Sequence, residues 1–214
     1  MADVPLCRAS SPPFVPAMQS IEAIILAGGA GSRFGGGKLL TPYRSGLLLD
    51  GAVHAAMAAP VERVILVTGH DADRVGHAAA KLAARAYPQR RFDVVFAERH
   101  AEGMAFTLQA GVAALSDNVG GAFVFLGDMP DIPVQVPAQL AARLGSRSAA
   151  APLFNGKRGH PVLFAARLFP ALLSLSGDQG ARKILDALGE DLALLNVDHP
   201  GVLFDVDRPS DVAS

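Results

Sequence analysis

Three features of the sequence predict an α/β fold: a three-layer sandwich with a mostly parallel sheet and an antiparallel C-terminal addition. Short β-branched runs alternate with longer Ala- and Leu-rich segments, the pattern of strands joined by crossover helices. Several of the strand-like runs are apolar throughout, as strands covered by helices on both faces must be. Half of the 214 residues are hydrophobic, yet there is no Trp and only 6% aromatic content, which suits small side chains packed between helices and a sheet.

Residues 1–20 are rich in Pro, Ser and Ala and read as a tail, with Met18 as a candidate start. A single domain over 21–214 is expected to follow. Ile21 to Ala27 reads as the first strand and Arg63 to Thr68 as the second, with a helix from Asp50 to Ala59 stopped by Pro60 between them. Val75, Ala79, Leu82 and Ala86 recur at helical spacing, with Asp71 or Asp73 where an N-cap would stand. A third strand is expected over Asp93 to Ala97, a helix over Met104 to Leu115, and a fourth strand over Ala122 to Leu126. Beyond residue 149 the spacing predicts strands at 149–153 and 161–164, helices at 166–174 and 179–188, and terminal strands at 192–197 and 202–206. Right-handed crossovers gather the loops at the carboxyl ends of the parallel strands, so a ligand site is expected there.

Composition narrows the function classes. Net charge is −1 with no block of basic residues, which gives no footprint for nucleic acid or an anionic membrane. The one cysteine, Cys7, cannot form an internal disulfide, and the N-terminal stretch lacks the pattern of a signal peptide. A cytoplasmic enzyme without a membrane anchor is the expectation.

The strongest local signal is LAGGAGSRFGGGK, residues 26–38, which leaves a strand with six glycines, Arg33 and Lys38. Glycines let backbone N–H groups turn toward phosphate oxygens, and the two cations neutralise charge that the amides cannot. A merely flexible loop has no use for those cations. It is not a P-loop, because Leu39 follows Lys38 where Ser or Thr is required. Nor is it a dinucleotide fingerprint, because Gly29, Gly31 and Gly35 are spaced one residue too far.

Asp128, in Leu126-Gly127-Asp128-Met129-Pro130, ends the fourth strand where a carboxylate can reach the cleft and hold Mg²⁺ against phosphates; its bland alternative is a turn former. Asp205 and Asp207 stand two residues apart near the chain's end, a spacing that on a strand projects both from one face, and can complete the metal site. Arg158, Gly159 and His160 in one loop, with Asp178 and Arg182 in another, suit a phosphorylated acceptor anchored by the two arginines. A positioning role fits His160 better than a general base.

Taken together these residues resemble the molybdenum-cofactor nucleotidyltransferases, and the cytidylyltransferase branch more closely than the guanylyltransferase branch. The resemblance runs from Ile21 to Val212 and rests on LAGGxGxRFGxxK, LGDMP, GHPVLF, GDQGAR and the closing Asp205 to Pro209. It implies a Rossmann-like fold that condenses an NTP with Mo-bearing molybdopterin to give a dinucleotide cofactor and pyrophosphate. It further implies Leu26, Ala27, Gly28 and Gly29 around the base and ribose, with Gly31 and Ser32 in the same loop. Arg33 and Lys38 would take the triphosphate and Asp128 the Mg²⁺. A molybdenum hydroxylase would receive the product. The chain departs from the cytidylyl pattern in Gly28, where that branch carries Ala, in Ala97-Glu98, where similar proteins carry Asn-Pro, and in the LTPYRSGLLLDG segment after Lys38. Two alternatives remain open: the same chemistry on a sugar phosphate or similar acceptor, and a cofactor chaperone without turnover.

Overall fold

A computed structural model describes residues 20–31, 34–177 and 180–212. The tail through residue 19, together with Ser32, Arg33, Asp178 and Gln179, lies outside the described residues.

The chain opens with β1 (Ile21–Ala27), then a small antiparallel hairpin of β2 (Pro42–Tyr43) and β3 (Gly46–Leu47). Helix α1 (Leu48–Ala58) begins where the Asp50 carboxylate accepts from Leu47 N–H at 2.9 Å. It ends before Pro60, which cannot continue a helix. Next come β4 (Arg63–Thr68), α2 (Ala72–Ala86), β5 (Arg91–Phe96), α3 (Met104–Ala113) and β6 (Gly121–Leu126). The C-terminal part adds α4 (Val136–Leu144), β7 (Ala149–Phe154), β8 (Lys157–Arg158), β9 (Val162–Ala165), α5 (Phe169–Leu173), α6 (Arg182–Ala187) and β10 (Leu192–Asn196).

The main sheet runs β10-β7-β9-β6-β1-β4-β5, with β8 paired to β7. Strands β5, β4, β1 and β6 are mutually parallel. The antiparallel addition is β9, wedged between β6 and β7, and β10 then pairs parallel to β7. Helices α1, α2 and α4 contribute to the core on one face of the sheet, and α3, α5 and α6 to the core on the other. Ile24, Ile65 and Phe123, all fully buried, come from the central strands, and burying such side chains stabilises by about 1.5 to 3 kcal/mol each. No helix among the described residues is long and apolar enough to cross a membrane.

Two expectations need correction. The 202–206 strand does not form: a 3₁₀ turn spans Pro200–Val202, and among the described residues the segment beyond it makes one backbone bond to the loop after β6, Val206 N to Asp128 O at 3.1 Å. One such bond is not a ladder, although the in-out alternation survives, with Val206 buried between exposed Asp205 and Asp207. Asp71 precedes α2 but gives no side-chain cap, because its backbone is left-handed and its carboxylate takes Arg74 at 2.9 Å instead. Helix α4 was not expected; Pro137 sits in its first turn, the one place where a missing N–H costs nothing.

Candidate active site

From β1 the chain moves outward to β4 and β5, then returns to pair β6 against the other side of β1. That reversal opens a crevice at the carboxyl ends of β1 and β6, the place where open α/β sheets bind ligands. Leu26 stands opposite Leu126 in the register, so the glycine loop and the Asp128 loop leave the sheet side by side.

A cleft of about 630 Å³ fills this crevice. Leu26, Ala27, Gly28, Gly29, Gly31, Lys38 and Asp128, all expected at a nucleotide site, line it. Ser32 and Arg33 belong to the same loop but fall outside the described residues. The sequence reading missed His70, Asp71, His100, Gly103, Met104 and Thr107, which line the same cleft. They occupy the loops after β4 and β5 and the first turns of α3, so the rule that loops gather at strand carboxyl ends was the signal that could have found them. Thr107 explains Gly28: a Cβ there would lie 2.7 Å from Thr107 Oγ1, so the buried threonine has taken the space of a side chain.

At the mouth of the cleft Lys38 begins a 3₁₀ turn, and its ammonium bonds Asp128 Oδ2 at 2.7 Å, ninety residues away in sequence. Asp207 Oδ1 lies 3.6 Å from the same ammonium. Partial desolvation of the carboxyl against its neighbours, although the residue as a whole is exposed, together with the negative charges of Asp128 and Asp207, holds Asp205 above the usual carboxylate range. The terminal segment is thus brought to Asp128 by Lys38 and the Val206 backbone bond. Among the described residues no set of three or more acidic, His or Cys side chains stands at metal-ligating spacing. The donor chemistry still fits a hard divalent ion, since Mg²⁺ is commonly held by one or two carboxylates plus substrate phosphates rather than by an all-protein cage.

Of the expected acceptor residues, the four that are described, Arg158, Gly159, His160 and Arg182, do not line the cleft. Arg158, half-buried, is paired with Asp186 at 2.6 Å, and Arg182 is exposed at the start of α6. Gly159 packs against the Val202 carbonyl, and His160 donates its backbone N–H to that same carbonyl at 2.8 Å. Burial pushes the His160 imidazole below its ordinary range, with a hydrogen bond to the Val124 backbone and then the Asp128 charge opposing, and Nδ1 is enclosed without a hydrogen-bond partner. Asp178 is outside the described residues, although the loop before it is tied to α3 by Ala105 N to Gly177 O at 3.1 Å.

A glycine loop, a cation and a carboxylate at a strand-order reversal suit nucleotide phosphates, and comparison with known proteins agrees. The model of the MobA-like NTP transferase domain matches residues 23–198. The chain belongs to this family. It is 27% identical over 194 residues to the molybdenum cofactor cytidylyltransferase of Escherichia coli, covering 91% of this chain and 94% of that one. It is 33% identical over 176 residues to the nicotine blue oxidoreductase of Paenarthrobacter nicotinovorans, covering 77% and 81%. Among solved structures, the manganese complex of Rv0371c from Mycobacterium tuberculosis superposes with a TM-score of 0.64 at 24% identity, covering 85% of this chain and 89% of that one. As a MobA-like nucleotidyltransferase the chain acts on an NTP and a phosphorylated acceptor.

Proposed function

We propose that this nucleotidyltransferase condenses CTP, in preference to GTP, with Mo-molybdopterin to give a molybdopterin dinucleotide and pyrophosphate. The observation that carries the reading is the meeting of Lys38 and Asp128 at 2.7 Å beside the glycine loop in the crevice between β1 and β6. The similarity to a molybdenum cofactor cytidylyltransferase over nine-tenths of the chain supports the acceptor and the base.

The acceptor's terminal phosphate oxygen attacks the α-phosphorus in line, and the α–β bridging oxygen leaves with pyrophosphate. Loop amides around Gly28, Gly29 and Gly31 hold the nucleotide, and Lys38 exchanges Asp128 for the departing phosphates, whose charge it offsets. Such catalysis is positioning and electrostatics, with no protein nucleophile. Asp128, with Asp205 or Asp207, would hold Mg²⁺, and the ion would supply positive charge against the phosphates. A structural neighbour solved with manganese supports a divalent ion here. Arg33 is assigned to the triphosphate, and Arg158, Gly159, His160, Asp178 and Arg182 to the acceptor. The reaction belongs to the cytoplasm, and a molybdenum hydroxylase is the recipient that this product chemistry calls for.

Pyrophosphate release with CTP, GTP and ATP, each with Mo-molybdopterin, tests the reading. Release that needs both substrates and runs fastest with CTP is expected. Release with a sugar phosphate instead would assign another acceptor, and tight dinucleotide binding without any release would leave a chaperone.

A further inference from the structure

Hairpin β2–β3 follows Lys38 and carries a second tie to the loop that holds Asp128. Tyr43 Oη donates to Asp131 Oδ2 at 3.0 Å, and Arg44 Nη2 donates to the same oxygen at 2.8 Å. Two short stretches of chain, 38–44 and 128–131, are therefore joined twice, once by Lys38 with Asp128 and once by Tyr43 and Arg44 with Asp131. None of Tyr43, Arg44 and Asp131 lines the nucleotide cleft.

The second tie is built at some cost. Asp131 Oδ1 is buried without a partner, which a mere turn former would avoid by facing water. Arg44 has a left-handed backbone with φ 50°, and non-glycine strain of this kind persists only where the surroundings hold it. Its guanidinium also lies over the Tyr43 ring, 5.2 Å from the centroid. Burial and then the Asp131 charge hold the Tyr43 phenol above its ordinary range, so its hydroxyl stays a donor.

The other sides of the Asp128 loop are closed by backbone contact. A Cβ on Gly51 of α1 would stand 1.9 Å from the Pro130 carbonyl oxygen, and one on Gly201 would stand 2.0 Å from that of Asp131. Helix α1 and the C-terminal segment thus seat the loop, and the hairpin follows directly on the 3₁₀ turn that Lys38 begins.

We propose that Tyr43, Arg44 and Asp131 form a positioning clamp that sets the Lys38–Asp128 geometry for nucleotidyl transfer, an inference that rests on the function proposed above. The nucleoside half of the cleft, made by β1, the loop after β4 and α3, is untouched by the clamp. Loosening it should lower kcat while leaving NTP KM nearly constant.

The test uses the full chain with Tyr43→Phe, Arg44→Ala, the double variant and Arg44→Lys. For the double variant we expect kcat to fall about tenfold to a hundredfold with KM for the NTP changed less than about threefold. Arg44→Lys should recover most of the loss. A readout independent of turnover is the Lys38 ammonium resonance in ¹⁵N-lysine-labelled protein, assigned by its loss in Lys38→Ala. The ion pair should slow its proton exchange in the wild type, and the signal should broaden or vanish in the double variant. An unchanged resonance, or an unchanged kcat in folded double variant, overturns the clamp. Normal turnover in Lys38→Ala and Asp128→Asn would instead overturn the proposed function, and the resonance would still judge the clamp.

Discussion

Lys38 has Asp128 at 2.7 Å and Asp207 at 3.6 Å, and only 11% of its side chain is exposed, so its ammonium offsets the charge of both carboxylates. Lys38→Ala removes a phosphate partner and should lower turnover by about tenfold or more. The same change leaves the carboxylates uncompensated. Mn²⁺ binding without nucleotide, measured by electron paramagnetic resonance, should therefore tighten by about tenfold, given the strength of a close charge pair near a surface. Weaker Mn²⁺ binding would show that these carboxylates do not share a cation site. Gly28 is the other residue whose neighbour decides its behaviour. Gly28→Ala brings a methyl to 2.7 Å from Thr107 Oγ1, and overpacking of this kind costs about 1 to 3 kcal/mol. Melting should drop, and Thr107→Ala in the same chain should restore it; an unchanged melting temperature for Gly28→Ala alone would show that Thr107 turns away freely.

Among the elements, β1, β4, β5 and the end of α3 are joined at the amino-terminal ends of the parallel strands, away from the cleft. Arg63 donates to Glu22 at 2.7 Å and to the Ala114 carbonyl at 2.6 Å, and pairs with Asp93 at 3.2 Å. Ser116 Oγ donates to Glu22 at 2.6 Å. Burial pushes the Glu22 carboxyl up, but hydrogen bonds from Arg63 and Ser116 outweigh it and hold the group below its ordinary value. A depressed folded-state value means that this stabilisation is complete above the unfolded-state value and is lost as pH falls through the folded one. Glu22→Gln leaves the Arg63 charge short of a partner, for which about 3 kcal/mol is expected at neutral pH, or roughly 6 to 12 °C in Tm. The gap between variant and wild type should close in acid. A gap that stays constant from neutral pH to pH 3 would mean that Glu22 acts by packing and not by charge. The same latch shows how local pattern becomes tertiary contact: the strand runs IEAIILA and RVILVT were legible because continuous apolar stretches have few other places to go. The pairing of their charged ends was not, because it depends on which strand lies next to which.

At the scale of the whole molecule, the cleft is assembled from β1, the loops after β4 and β5, α3 and the Asp128 loop, so a bound nucleotide ties separate parts of the chain together. Ligand present at a hundred times its Kd stabilises by about 2.7 kcal/mol, roughly 5 to 11 °C in a chain of this size. Thermal shifts should rank CTP above GTP, and the reverse order would overturn the base assignment. The α/β class, the parallel central strands and the loop from Leu26 to Lys38 were determined by the sequence alone, because apolar periodicity and glycine spacing are local properties that the fold does not alter. The residues at the expected strand end Asp205–Asp207 did come to Asp128, but as a strap held by one backbone bond and Lys38, not as a strand. Only the tertiary structure decided that Lys38 meets Asp128, that Thr107 stands in place of a Gly28 side chain, and that Asp131 holds the hairpin. Each of these joins residues some eighty or ninety positions apart, and contact at that separation is set by strand order and crossover path, which no local pattern encodes.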